Sequence, residues 1–447
     1  MPDSQRENAQ AELLTVVDSV LRQARAKGAD AAEASANSGQ ALSITVRKGE
    51  LENVDHHRDK SLAVVVFRGQ RKGSATTTDF TAAALERTVD AALAAANYTG
   101  EDPYAGLADP AELARQPLPD LDLYHPWDVD VGTAQALATA CEQAALGYDP
   151  RITNTEGSTF SSQRGYQAYG NSLGFAGAYA ATSHNLSCSV IARDGDNMER
   201  DHDYTVARLH TAMATPEHVG TRAAQRAVAR LGARQIATCK APVLFEAPLA
   251  SGLFGHFIGA ISGGAQYRQA SFLLDAIGQQ VFPEWLSLRE DPFIPRGVAS
   301  VPFDMDGVAP QQRTLIEGGQ LQDYVMDVYS ARRLQRRSTG NAGGVHNLIV
   351  TTSDRSLEDM LALMGTGLLV SELIGFGVNG VTGDYSRGAA GFWVENGRIA
   401  YPVHEITIAG QLRDMYRGIV AIGGDIDPRR AVQSGSVLLE NLTIAGA

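Results

Sequence analysis

The sequence predicts an α+β protein. An N-terminal domain of mixed antiparallel sheet with helices spans residues 1–232, and a β-rich, sandwich- or barrel-like domain spans residues 233–447. Three observations carry this division. The 447 residues exceed what a single core usually holds. Before Ala233, short alternating segments are twice followed by segments with apolar residues every three or four positions. After Ala233 the texture changes to β segments punctuated by glycines, which suggest bulges and close backbone approach.

The elements follow in order. Leu13, Val17, Val20, Leu21 and Ala24 mark an amphipathic helix that ends near Gly28. Leu42–Arg47, Leu51–Asp55 and Leu62–Phe67 read as strands of an antiparallel meander, with a turn at Lys48-Gly49-Glu50 and another at Gly69–Arg71. A helix over Thr81–Asn97 lines up Leu85, Val89, Ala92 and Leu93, with Asp79 as its N-cap. Pro103, Pro110, Pro117, Pro119 and Pro126 mark a long extended connector, and a helix near Val131–Leu146 follows. Strand-like segments then cover Arg151–Phe160, Tyr166–Asn171, Phe175–Ala192 and Asn197–Leu209. Thr215 caps a helix over Pro216–Leu231, with Pro216 at its first position. The order resembles two strand-then-helix units, a degenerate duplication. Beyond it lie a short strand at Val243–Phe245, a helix over Pro248–Ile261, and β segments from Val298 onward. These are interrupted by one clear helix over Leu357–Met364, between Ser356 and Gly365.

Composition excludes several classes. A net charge of −13 opposes non-specific nucleic-acid binding, which needs a basic face. The one basic run, Arg332–Arg337, reads as a solvated helix end. No stretch approaches the roughly 18 apolar residues of a membrane span. The N-terminal MPDSQRENAQ lacks a secretory pattern, and Cys141, Cys188 and Cys239 form neither a disulfide framework nor a CxxC site, which together predict a cytoplasmic protein. No phosphate-binding GxxxxGK[ST] loop and no GxGxxG between strand and helix is present. The nearest approach to a nucleophile elbow, Asp384-Tyr385-Ser386-Arg387-Gly388, lacks its first glycine. Neither HExxH nor a Cys/His cluster occurs among the ten histidines.

Longer motifs go beyond periodicity. STGNAGGVHN (338–347), GDYSRGAAGFWVENG (383–397), EITIAG (405–410), TNTEG (153–157) and the closing GSVLLENLTIAG together resemble the PmbA/TldE proteins of the TldD/TldE family, also described as modulators of DNA gyrase. The resemblance runs from about residue 10 to the end. It implies a cytoplasmic heterodimeric metalloprotease that cuts unfolded peptides, as in maturation of peptide antibiotics and degradation of an antitoxin. In that pair the TldD subunit supplies a zinc-binding HExxxH helix, whose glutamate activates water, and a distant cysteine ligand.

Carried onto this chain, the first histidine falls on Ser251, the glutamate on Gly252, the second histidine on His256 and the cysteine on Ser434. One ligand of three survives and the base is missing, so the resemblance implies a non-catalytic subunit without a cofactor of its own, with zinc in a TldD-like partner carrying HExxxH. His256, His346, Asp384, Tyr385, Ser386 and Arg387 are the candidate contacts to peptide or partner. Gly252, Gly255, Gly259 and Gly263 draw a side-chain-free stripe that admits a closely packed backbone. Gly383–Trp393 reads either as a structural hairpin or as a loop at a cavity or subunit interface. An independent peptidase, a non-enzymatic regulatory protein, and a homodimer of the chain alone stay open.

Overall fold

The computed structural model describes residues 2–446. Helix α1 (Pro2–Ala26) leads into three antiparallel strands, β1 (Ala31–Arg47), β2 (Glu50–Arg68) and β3 (Arg71–Thr77), and then helix α2 (Ala82–Tyr98). After a connector come α3 (Val131–Leu146), the strands β4 (Ile152–Asn171), β5 (Ala176–Asp194) and β6 (Asn197–Ala207), and α4 (Pro216–Ala229). The six strands form one sheet in the order β3-β2-β1-β4-β5-β6, curved into a half-barrel. Lys48 and Gly49 take φ of 54° and 77°, the left-handed pair that a two-residue hairpin demands.

All four helices cover the same sheet face. Ala32, Ala34 and Ala36 of β1 lie beneath α1 and α2, while Leu42, Ile44 and Val46 lie beneath α3 and α4. Small residues set how closely the layers approach. A Cβ on Gly73 would fall 2.1 Å from the Ala92 carbonyl oxygen of α2, and one on Gly220 would fall 2.0 Å from that of Cys141 in α3. The opposite face has no helix over it. It is half-buried and lined by short polar side chains, among them Asn37, Ser43, Ser161, Asn185 and Ser187, with Thr45 and Thr159 hydrogen-bonded across strands at 3.0 Å.

Several predicted segments merge. Leu51–Asp55 and Leu62–Phe67 are one strand, β2, and Arg151–Phe160 and Tyr166–Asn171 are one strand, β4. The polar middles, His56–Ser61 of β2 and Ser161–Gly165 of β4, hide this continuity because they lack apolar alternation. Strand β1 begins eleven residues before Leu42 in a run of alanine, serine and asparagine, whose weak β-propensity is overridden by burial under the helices. The N-cap of α2 is Thr81, whose hydroxyl accepts from Ala84 N; Asp79 instead accepts from Thr81.

The C-terminal part continues with β7 (Cys239–Phe245), α5 (Ala247–Ala260), α6 (Gly263–Tyr267), β8 (Leu288–Glu290), β9 (Arg313–Glu317), β10 (Gln320–Leu321), α7 (Val328–Arg333) and β11 (Leu348–Val350). Then come α8 (Leu357–Met364), β12 (Gly367–Ile374), β13 (Asp384–Glu395), β14 (Arg398–Gln411), α9 (Leu412–Arg417), β15 (Ile419–Ile422), β16 (Val432–Gln433) and β17 (Val437–Ala445). Strands β14-β13-β12-β7-β17 close into a barrel through pairing of β14 with β17, with β15 appended to β17. A smaller sheet runs β10-β9-β8-β11-β16. Helix α8 carries the expected capping box, Ser356 with Asp359.

Helix α5 leaves β7 through Glu246 and buries Leu253, Phe254, Phe257 and Ala260 in the largest core. Phe257 meets Phe282 edge-on at 5.1 Å, and the Tyr416 hydroxyl donates to the Leu253 carbonyl at 2.9 Å. Ion pairs tie the two parts together: Arg226 of α4 to Glu246 at 3.0 Å, and Arg429 to Asp203 of β6 at 2.8 Å. Among the described residues no helix is long and apolar enough to cross a membrane.

Phe257 fills a fully buried site between α5 and the barrel. Phe257→Ala should therefore cost about 3–5 kcal/mol, read as a lowered unfolding midpoint in denaturant; an unchanged midpoint would mean that α5 is not clamped by its aromatic face.

Candidate functional site

The two faces of α5 differ completely. Opposite the aromatic face, Gly252, Gly255 and Gly259 are exposed, and a Cβ built on any of them would meet no atom within 4 Å. Gly263 does not extend this stripe. It lies in α6, where a Cβ would collide with Ser330. The glycine face is thus open within the chain rather than packed against it.

The residues aligned with the family's metal-binding positions are spoken for or bare. Ser251 Oγ donates to the Pro248 carbonyl at 3.0 Å, and the buried Ser434 Oγ donates to the Gly435 carbonyl at 2.9 Å. Gly252 has no side chain to offer. Among the described residues no group of three or more His, Cys, Asp or Glu side chains is placed to hold a metal. One imidazole and two engaged hydroxyls do not fit zinc, which takes thiolate, imidazole and carboxylate donors.

His256 is half-buried on α5. Its ring lies 6.2 Å from that of Tyr385, nearly perpendicular at 75°. Burial, with the positive charge of Arg387 adding to it, holds the imidazole pKa below its ordinary value. Burial pushes the Tyr385 phenol up to about 12, partly offset by Arg387. The Tyr385 hydroxyl and Arg387 Nε are both buried and lack hydrogen-bond partners.

The segment from Gly383 is mostly the barrel strand β13, the first arm of an antiparallel hairpin with β14 that turns at Asn396-Gly397 and bulges between Ala389 and Gly391. Its period of two sorts the candidates. Tyr385 and Arg387 face α5, whereas Asp384 and Ser386 point away and are exposed. Asp384 accepts from Thr382 Oγ1 and from Gln411 Nε2.

His346 lies elsewhere. Its Nδ1 is 3.0 Å from Glu290 Oε1, and Glu290 also pairs with Arg313 at 2.9 Å and accepts from Asn341 at 2.6 Å. Burial pushes Glu290 up, yet the His346 hydrogen bond and the Arg313 charge outweigh it and hold the carboxyl below its usual range. The acceptor is a carboxylate, so Nδ1 carries the proton. His346 borders a cavity of about 350 Å³ between Asn37 and Tyr179 of the open sheet face and Met305 and Gly343 of the C-terminal part. The six candidates thus fall in three places.

Two features escaped the sequence. A cleft of about 610 Å³ lies between the two parts, bordered by Tyr204, His218, Arg226, Glu246 and Pro248, at the N-terminus of α5. Ser162 Oγ donates to His184 Nδ1 at 2.9 Å, and His184 Nε2 donates to the His125 carbonyl at 3.1 Å. This pair sits in register on β4 and β5, so only strand pairing could reveal it.

The chain matches the models of the PmbA/TldA metallopeptidase domain 1 over residues 32–96, the central domain over 124–231 and the C-terminal domain over 238–446. It is 49% identical to metalloprotease PmbA of Escherichia coli O157:H7 over 98% of this chain and 97% of that protein. The chain belongs to the PmbA/TldE family. A metalloprotease PmbA homolog of Haemophilus influenzae is 45% identical, over 97% of this chain and 98% of the relative. Among solved structures, a Bacteroides thetaiotaomicron protein named for modulation of DNA gyrase superposes with a TM-score of 0.92 at 25% identity, covering 97% of this chain and 98% of that one. TldE from Thermococcus kodakarensis shares the fold at a TM-score of 0.84 and 20% identity, over 96% and 99% of the two chains.

The His256 environment has a pH signature. Its folded pKa lies below the unfolded value of roughly 6.5, so the unfolded chain binds the proton first. The stability His256 contributes is present above that pH and is lost as pH falls through the folded pKa. An NMR titration should place the His256 midpoint below the ordinary imidazole value of roughly 6.5; a midpoint above it would contradict the buried, Arg387-facing geometry.

Proposed function

We propose that this chain is the non-catalytic subunit of a two-subunit metallopeptidase, holding unfolded peptide beside a zinc-bearing partner with an HExxxH helix. The observation that carries the reading is the open glycine face of α5. Where the family's catalytic helix presents two histidines and a glutamate, this one has Ser251, Gly252 and His256, and Gly252, Gly255 and Gly259 have free space above them. Without a carboxylate base nothing takes the proton from an attacking water. A glycine in a helix interior costs roughly 0.5–1 kcal/mol against alanine, so three on one open face are consistent with a backbone that approaches there.

Peptide of low sequence preference is held through main-chain hydrogen bonds and short polar side chains. The half-barrel face without helices, rich in serine, threonine and asparagine away from Phe303, suits that mode. Strand addition needs a free edge, and barrel closure leaves β7, β12, β13, β14 and β17 with neighbours on both sides. On the half-barrel, Arg429 Nη1 already donates to the Tyr204 carbonyl of the edge strand β6. Other unpaired edges of that sheet are the outer side of β2 over Glu50–Ser61, since β3 pairs only with Leu62–Arg68, the outer side of β3, and β5 over Ala176–Ser183. The β2 stretch is the longest of these, so strand addition of partner or peptide is proposed there. The net charge of −13 argues against nucleic-acid contact, and the cytoplasm is the compartment this reading implies.

Mixing experiments test the proposal. A denatured protein substrate should be cleaved by the mixture of this chain with an HExxxH-bearing subunit and by neither alone. Glutamate-to-glutamine replacement in the partner's motif should abolish cleavage, whereas Ser251→Ala here should leave it within a few-fold. Robust cleavage by this chain alone would overturn the assignment.

A further inference from the structure

Most of the arginines buried in this molecule have an anion. Arg226 meets Asp201 at 3.1 Å and Glu246 at 3.0 Å, Arg313 meets Glu290 at 2.9 Å, and Arg429 meets Asp427 at 2.7 Å. Arg387 is the exception at the candidate site. It is half-buried, its Nε is sealed from solvent without an acceptor, and among the described residues no carboxylate lies within 4.0 Å of its guanidinium. Arginine stays protonated, so an unpaired one in such surroundings carries an uncompensated cost of burial. Beside it on the same face of β13 is Tyr385, 2% exposed, its hydroxyl a donor without a partner. From α5 comes His256, whose ring faces Tyr385. Three side chains able to donate thus meet with no carboxylate among them, next to the open glycine face.

We infer that Arg387 and Tyr385, with His256 beside them, form a subsite for a carboxylate carried by the bound peptide. A planar guanidinium matches a carboxylate bidentately, and a buried phenol completes the set with a short hydrogen bond. The free α-carboxylate of a peptide C-terminus fits best, because it arrives on main chain and the bare face of α5 admits main chain. An aspartate or glutamate side chain presents the same chemistry. The inference rests on the peptide-holding function proposed above, and gives the chain a defined task in it: fixing one end of an extended substrate.

The test uses the full-length chain with its HExxxH partner inactivated at the glutamate, and three N-terminally labelled hexapeptides. One has a free C-terminus and no acidic residue, the second is its C-terminal amide, and the third is the amide with one internal glutamate. A charge-assisted pair of this kind should make the free acid bind about tenfold more tightly than the amide. Recovery of affinity in the glutamate-bearing amide would identify a side-chain carboxylate as a second source for the same subsite. Arg387→Gln should erase the acid–amide difference, and Tyr385→Phe should reduce it while leaving the melting temperature unchanged, since the lost hydroxyl bonds nothing in the free chain. Equal affinity for all three peptides, or an acid–amide difference that survives Arg387→Gln, would overturn the carboxylate subsite alone. Binding of none of them would overturn the peptide-holding function beneath it.

Discussion

Helix α5 can rotate in only one way. Phe254 and Phe257 enter a fully buried aromatic set with Phe282 and Tyr416, and the Tyr416 hydroxyl holds the Leu253 carbonyl. A helix whose one face is fixed has its other face fixed as well, since residues three and four apart share a side. What α5 offers outward is therefore decided entirely by which residues occupy 252, 255, 256 and 259. In a chain with histidine and glutamate on that outward side, the same clamp would present a metal site ready-made. Here it presents glycine and one histidine, so the fold of a metallopeptidase is kept while its donor set is not.

The rest of the architecture is arranged around that helix. The barrel supplies β13, whose inward residues Tyr385 and Arg387 meet His256 from below. The half-barrel supplies a polar sheet face that no helix covers among the described residues, and Arg226, Glu246, Arg429 and Asp203 hold it in place against the start of α5. These inter-part ion pairs are partly buried, which favours geometry over stability: a pair of this kind specifies position more reliably than it adds free energy. The cleft at the α5 N-terminus is a product of that positioning.

Much of this was legible in the residues. The α+β division, the Lys48-Gly49 turn, the Thr215 cap and the Ser356–Asp359 capping box follow from local chemistry and needed no tertiary information. What was not legible depended on contacts between distant segments. Strand β2 reads as two pieces because Asp55–Lys60 carries charge on both faces, and only its long pairing with β1 makes it one. Gly263 falls in step with the glycines of α5 but belongs to another helix, because the chain turns at Ser262, which caps α6. Tyr385 and Arg387 could have been separated from Asp384 and Ser386 by strand periodicity, had the glycines of that segment not suggested a turn. His346 shares a family motif with its neighbours in sequence, yet its partner Glu290 lies fifty-six residues away and nothing local points to it.

In the proposed pair, zinc belongs to the HExxxH-bearing subunit and not to the clamped helix of this chain. Elemental analysis of the chain purified alone and dialysed against zinc-free buffer tests it most directly. Zinc should stay far below stoichiometry, with metal appearing only when the HExxxH-bearing subunit is added. A full equivalent of tightly held zinc in the isolated chain, released by His256→Ala, would contradict it.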